Sequence, residues 1–260
     1  MDLGLRGKRA LVTGGSRGIG RSIALLLAKE GCDVTICARG QLDIDRTVDD
    51  LKSHDVNVLG IAADLTKAGN SDKVVETIIN TWGQLHILIN NVGGGGRWGK
   101  ENIEDNTDTL WLEVFDKNAL TAVRFITKVL PGMRKQKWGR IITITSIYGK
   151  EGGGHPWFNM AKSAQISLMK CLALNKDLSR SGITFNSIAP GPIMIPGTGW
   201  EEEQKKDPEA FNRMISTQLT LGRLGTPDEV ANVVVFLCSE KASLVNGACI
   251  VVDGGESRSF

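Results

Sequence analysis

Seven short, almost continuously apolar runs punctuate this chain of 260 residues, at 9–13, 33–38, 56–62, 85–90, 140–145, 183–188 and 248–252. A strand with one wet face alternates apolar and polar side chains, whereas a strand covered on both faces has no polar side to show. Between the runs lie segments of helical period at 18–30, 41–53, 71–82, 105–133, 158–181 and 227–239. In 158–181, Ile166, Met169, Leu172 and Ala173 recur at three- and four-residue steps, which gathers them on one helix face. Strand–helix alternation over the whole length predicts an α/β fold, a doubly wound parallel sheet with helices on both faces. No repeat or low-complexity linker divides it, so one domain over residues 1–260 is expected.

Composition narrows the function classes. Lys and Arg total 31 against 29 Asp and Glu, a net charge of 31 − 29 = +2, which argues against a nucleic-acid partner. Residues 1–8 hold no apolar core of a signal peptide, and no apolar stretch approaches the ~20 residues of a spanning helix. A cytoplasmic protein with no membrane partner is expected. Cys32, Cys37, Cys171, Cys238 and Cys249 form no CxxC pair and sit in apolar segments, which reads as buried reduced thiols. His54, His86 and His155 are scattered, so no metal site is expected. Two counts are unusual. Glycine reaches 31 residues, about 12% against a usual ~7%, and Tyr148 is the only tyrosine.

The first strand runs into Thr13-Gly14-Gly15-Ser16-Arg17-Gly18-Ile19-Gly20 and then a helix. Glycines 14, 18 and 20 let the backbone turn tightly and approach a pyrophosphate, which the helix amino terminus stabilises through its free N–H groups and dipole. The spacing is GxxxGxG, and its place between first strand and first helix favours a nucleotide site over a plain turn. The second strand ends Ile36-Cys37-Ala38-Arg39-Gly40, without the carboxylate that bonds a ribose 2′-hydroxyl in NAD sites. Arg39, with Arg17 in the cradle, suits a 2′-phosphate, so NADP(H) is preferred over NAD(H); the alternative is that Arg39 is simply solvated.

Residues 192–218 break the alternation with Pro196, Gly197 and Gly199, then a polar stretch. An insertion this long is often functional, and Trp200 and Phe211 favour a lid-like segment over a solvated excursion.

The glycine cradle, Asn90-Asn91-Val92-Gly93, Asn118 in a helix, Ser146 closing a strand, Lys162, and Pro190-Gly191 together resemble the classical short-chain dehydrogenase/reductase family. So do Gly222-Arg223-Leu224-Gly225-Thr226-Pro227 and Val251-Val252-Asp253-Gly254-Gly255, so the likeness covers essentially the whole chain. The resemblance implies a single Rossmann-type sheet of about seven parallel strands, a small-molecule substrate and a homo-oligomer, tetramer or dimer. It also implies that Asp64 contacts the adenine and that Asn90 with Gly93 lines the adenosine ribose. Pro190, Gly191 and Ile193 would flank the nicotinamide. In such proteins a Ser polarises the substrate carbonyl, a Tyr exchanges the proton, a Lys holds the nicotinamide ribose and lowers the Tyr pKa, and an Asn supports a water relay. Ser146, Lys162 and Asn118 match three of these positions.

The fourth departs. The family carries Tyr-x-x-x-Lys, and here Phe158-Asn159-Met160-Ala161 precede Lys162. Phenylalanine keeps the shape of tyrosine but has no O–H to donate. Three readings stay open. The first is an ordinary NADP-dependent oxidoreductase acting on a carbonyl or alcohol, disabled by the Phe. The second is a working enzyme with another proton donor: Tyr148, which an extended strand would place on the same face as Ser146, or less favourably His155. The third is a non-redox NADP-binding or scaffold protein. Retention of Asn118, Ser146 and Lys162 favours an oxidoreductase.

The substrate walls would be residues 93–98, 147–157 and 193–211. Arg97 either pairs with a substrate carboxylate or phosphate or is a surface residue. A small polar or acyl substrate fits better than a steroid-sized one.

Overall fold

The computed structural model describes residues 1–259. Among them, seven strands form one sheet: β1 (Arg9–Thr13), β2 (Asp33–Ala38), β3 (Val58–Ala62), β4 (Ile87–Asn90), β5 (Gly139–Ile144), β6 (Ile183–Pro190) and β7 (Cys249–Val252). Their order is β3-β2-β1-β4-β5-β6-β7 and every pairing is parallel. The chain starts in the middle, winds out to β3, then crosses back to lay β4 on the other side of β1. A crevice opens at that reversal, outside the carboxyl ends of the strands.

The strands read as apolar runs because both faces are covered. Ala10 and Val12 of β1, Ile87 and Ile89 of β4, and Ile142 and Ile144 of β5 pack into one core. That core also takes in α1 (Gly18–Lys29), α2 (Gln41–Lys52) and α10 (Pro227–Cys238). Leu11, Leu88 and Ile141, each next in sequence to one of these, pack into the other. There they meet α3 (Asn70–Trp82), α5 (Thr121–Gln136) and α6 (Pro156–Leu174). Alternate residues of one strand thus serve opposite cores.

Three segments differ from the sequence expectation. Residues 105–133, expected as one helix, begin instead at α4 (Asp108–Phe115), pass through a π-helical turn at Asp116–Leu120 and continue as α5. Segment 158–181 divides into α6 and a short α7 (Lys176–Ser179). Asn175 causes the break, because its Oδ1 accepts the Asp177 and Leu178 N–H groups at 3.0 and 3.2 Å and caps the second helix. Residues 192–218 are not irregular: they hold α8 (Gly199–Lys206) and α9 (Pro208–Gln218), with Phe211 buried. Of the five thiols, Cys171 is exposed, on the outer side of α6, against the expectation of burial. No helix among the described residues is long and apolar enough to cross a membrane.

His86 ties the central strands. Its Nδ1 accepts the Arg9 N–H at 3.0 Å, its own N–H donates to the Arg9 carbonyl, and its carbonyl accepts the Arg140 N–H. Burial first, then Lys8 and Arg9, lower its pKa from 6.5 to about 4. Between those values the unfolded chain binds more protons than the fold, so stability falls as pH drops from 6.5 towards 4. Urea midpoints measured at pH 7 and 4.5 are therefore expected to separate more for the native chain than for His86→Gln.

Candidate active site

A cavity of about 1000 Å³ lies where the sheet order reverses. The cradle after β1 forms one wall. Gly14 and Gly18 adopt φ of +64° and +54°, a conformation that side chains with a Cβ rarely take. A Cβ on Gly15 would lie 2.6 Å from Ile36 Cγ2, and one on Gly20 would lie 2.4 Å from the Gly14 carbonyl oxygen. Both positions must therefore be glycine for the loop to close against β2 and itself. Gly14, Ser16, Arg17, Gly18 and Ile19 line the cavity, and no side chain caps α1. The first N–H groups of that helix are left for a ligand.

The neighbouring turn after β4 is tied to the cradle by Asn91. Its Nδ2 donates to the carbonyls of Thr13 and Gly14 at 3.0 and 3.2 Å, and its N–H donates to Thr13 Oγ1 at 2.9 Å. Asn90, expected beside the adenosine ribose, instead lies buried with its Nδ2 3.4 Å from Thr143 Oγ1. Consecutive residues of a strand point to opposite sides, so one member of the Asn90-Asn91 pair had to face away. Asn91 is the member that lines the cavity, together with Gly93.

Arg17 and Arg39 stand at the rim with no carboxylate ion pair among the described residues. Asp64, beyond β3, also lines the cavity; the Thr66 hydroxyl donates to it at 2.7 Å and is the main cause of its lowered pKa.

At the other end stand Ser146, Phe158 and Lys162, with Pro190 at the end of β6 and Gly191 and Ile193 just beyond it. Phe158 and Lys162 are one turn apart on α6 and so share a face. Lys162 is 4% exposed, and its Nζ donates to the Ile144 carbonyl at 3.1 Å and lies 5.5 Å from the Phe158 ring centroid. Burial lowers its pKa from 10.5 to about 7. Asn118, fully buried in the π-helical turn, pins the glycine loop: its Oδ1 accepts the Gly94 N–H at 3.2 Å and its Nδ2 donates to the Gly94 carbonyl at 2.8 Å. Trp157 adds a bond from its Nε1 to the Gly95 carbonyl at 3.3 Å. The Asn118 carbonyl already accepts from Gln165 Nε2 at 3.0 Å.

Tyr148 is placed differently from the expectation. β5 stops at Ile144, and residues Ile147–Gly149 form a 3₁₀ turn capped by Ser146, whose Oγ accepts the Tyr148 N–H at 3.3 Å. The two-residue alternation of a strand therefore does not carry Tyr148 to the face of Ser146. Its ring packs on the loop, so that a Cβ on Gly153 would lie 2.5 Å from its Cε1. Burial, then the carboxylates of Glu256 and Glu151, push its phenol up. His155 stacks on Trp157 with ring centroids 4.6 Å apart. Arg97 turns away from the cavity to pair with Glu203 at 2.7 Å over the Trp200 ring. Lys117 is a cavity residue that no motif indicated.

Lysine at 162 makes the stability of the fold pH-sensitive. The unfolded chain binds the extra proton between about 7 and 10.5, so stability rises with pH across that window. Denaturant unfolding at pH 7 and 9.5 is expected to show the native chain gaining stability relative to Lys162→Met; equal pH dependence in the two would refute the assignment.

A family model described as Enoyl-(Acyl carrier protein) reductase matches residues 14–257. The 3-oxoacyl-[acyl-carrier-protein] reductase FabG of Staphylococcus epidermidis is 36% identical over 251 residues, 95% of this chain and 98% of that protein. Dehydrogenase/reductase SDR family member 4 of Oryctolagus cuniculus is 34% identical over 255 residues, 96% of this chain and 94% of that one. The crystal structure of L-sorbose reductase from Gluconobacter frateurii, complexed with NADPH and L-sorbose, superposes with a TM-score of 0.92 at 32% identity over 100% of both chains. With seven parallel strands in one doubly wound sheet and a cavity at its reversal, this chain belongs to the short-chain dehydrogenase/reductase family of oxidoreductases.

Proposed function

We propose that this chain binds NADP(H) in preference to NAD(H) and acts on a carbonyl or alcohol of a small polar or acyl substrate. One observation carries the reading. Arg39 lines the cavity just past β2, where an NAD site presents an acidic side chain, and Arg17 lines it from the cradle, neither in a carboxylate ion pair among the described residues. The cradle suits a dinucleotide, since Gly14, Ser16, Gly18 and Ile19 line the cavity beside the amino terminus of α1, which no side chain caps. The NADPH in the L-sorbose reductase structure supports the same choice.

The bound cofactor supplies or accepts hydride. The remaining work falls to side chains. Ser146 offers a hydroxyl to the substrate oxygen, and Pro190, Gly191 and Ile193 close the nicotinamide side. Lys162 holds the ribose, while Asn118 and Trp157 keep the 93–96 loop in place. Residues 192–218 act as a lid, supported by Ile195, Thr198 and Trp200 in the cavity wall. Hydroxyls of Thr145, Ser146 and Thr198 beside Ile193, Ile195 and Trp98 suit a compact polar substrate. Phe158 occupies the position of the proton-donating tyrosine without an O–H. Turnover is accordingly slow, and Tyr148 does not replace the donor. The protein is cytoplasmic and works as a homo-oligomer, the latter supported by apolar Leu120 exposed on the π-helical turn.

Fluorescence titration tests the cofactor. Arg39→Ala is expected to weaken NADPH by about 10–100-fold and leave NADH little changed, from about 1.5–3 kcal/mol per charge-assisted hydrogen bond. Failure of the native chain to bind NADPH would sink the reading. A turnover assay tests the proton donor. Phe158→Tyr is expected to raise carbonyl reduction roughly 10²–10⁴-fold, with Tyr148→Phe unchanged from the native chain. Tight NADPH binding with no turnover from either native chain or Phe158→Tyr selects a non-redox NADP-binding protein instead.

A further inference from the structure

Among the described residues, Lys117 is the one cation of the cavity wall that the family resemblance left without a role. It lies in the π-helical turn, next to Asn118, and lines the cavity with Arg17 and Arg39. The carboxylates closest in sequence do not pair with it. Asp116 pairs with Arg124, and Glu113 makes no ion pair among the described residues. Burial and the positive charges of Arg39 and Arg17 push its ammonium below the usual lysine range, with Asp64 the opposing charge. Three cations that raise one another's electrostatic energy across a cleft are relieved by an anion placed between them.

Two further contacts aim the side chain. Lys117 Nζ lies 4.2 Å from the centroid of the Trp98 ring, a cation–π distance. Glycine at 94, with φ of +137°, leaves room for it, since a Cβ there would stand 3.1 Å from Nζ. Trp98 is 39% exposed, at the tip of the glycine loop that Asn118 and Trp157 anchor at its base. The tip of the loop thus meets Lys117 through Trp98, as its base meets the neighbouring Asn118 through Gly94.

We infer that Lys117 is a third phosphate-binding cation for the dinucleotide, and that its contact with Trp98 is a clasp that folds the 93–99 loop over the cofactor. This rests on the NADP(H) reading above. The phosphate it meets is either the 2′-phosphate or the pyrophosphate, and the two are separable by experiment.

The test is equilibrium binding of NADPH and of NADH to the native chain, Lys117→Met and Lys117→Arg, with ligand-free thermal unfolding of each. Lys117→Met is expected to bind NADPH about tenfold more weakly, as for loss of one charge-assisted hydrogen bond at a half-buried site. Lys117→Arg restores most of the loss, and ligand-free melting is unchanged in both. Weakening confined to NADPH supports the 2′-phosphate as the partner; equal weakening of both dinucleotides supports the pyrophosphate. Unchanged affinity for both in Lys117→Met overturns the inference while leaving the cofactor reading standing. A native chain that binds neither dinucleotide overturns both.

Discussion

Covering a parallel sheet on both faces is the constraint from which the rest of this structure follows. Parallel strands need crossover connections, and the helices in those crossovers bury both faces. Side chains of one strand then serve two cores, as Val12 and Leu11 do. The sheet interior has no room left for chemistry, so the loops at the strand ends must carry it. With β1 in the middle and the chain reversing to β4, the loops after these two strands diverge, and a crevice forms between them. Asn91 holds the two edges of that crevice in register.

The site is built largely by backbone held in place by buried side chains. The loop at 93–96 carries almost no side chains of its own, and ordering it is costly in conformational entropy. Asn118, Trp157 and the Val114 side chain beside Gly95 offset that cost. A π-helical turn supplies the position of Asn118, and such turns collect at functional sites because the extra residue redirects a side chain. The same turn directs Lys117 towards Trp98.

Phe158 alters the chemical balance of a site whose other parts are present. The family resemblance implies a tyrosine at this position whose pKa is lowered by the lysine one turn away. Here the lysine faces an apolar ring and a single carbonyl, and burial alone brings its pKa to about 7.

The fold class, the strand positions and the cradle were legible in the sequence because each depends on local pattern, apolar runs or glycines at fixed offsets, whereas Ser146, Phe158 and Lys162 were singled out by the family resemblance and line one cavity. Asn90 against Asn91 was not legible, since a doublet at a strand end reads the same whichever member faces the crevice. Tyr148 was misplaced because the exit of β5 into a 3₁₀ turn depends on Ser146 capping it. Arg97 pairs with Glu203, 106 residues away in sequence, and Lys117 is aimed by one extra residue in a helix turn. The chain by itself determined the architecture and the family to which it belongs. Tertiary structure alone decided which polar groups meet in the cavity, because that depends on long-range packing and on where each helix and strand ends.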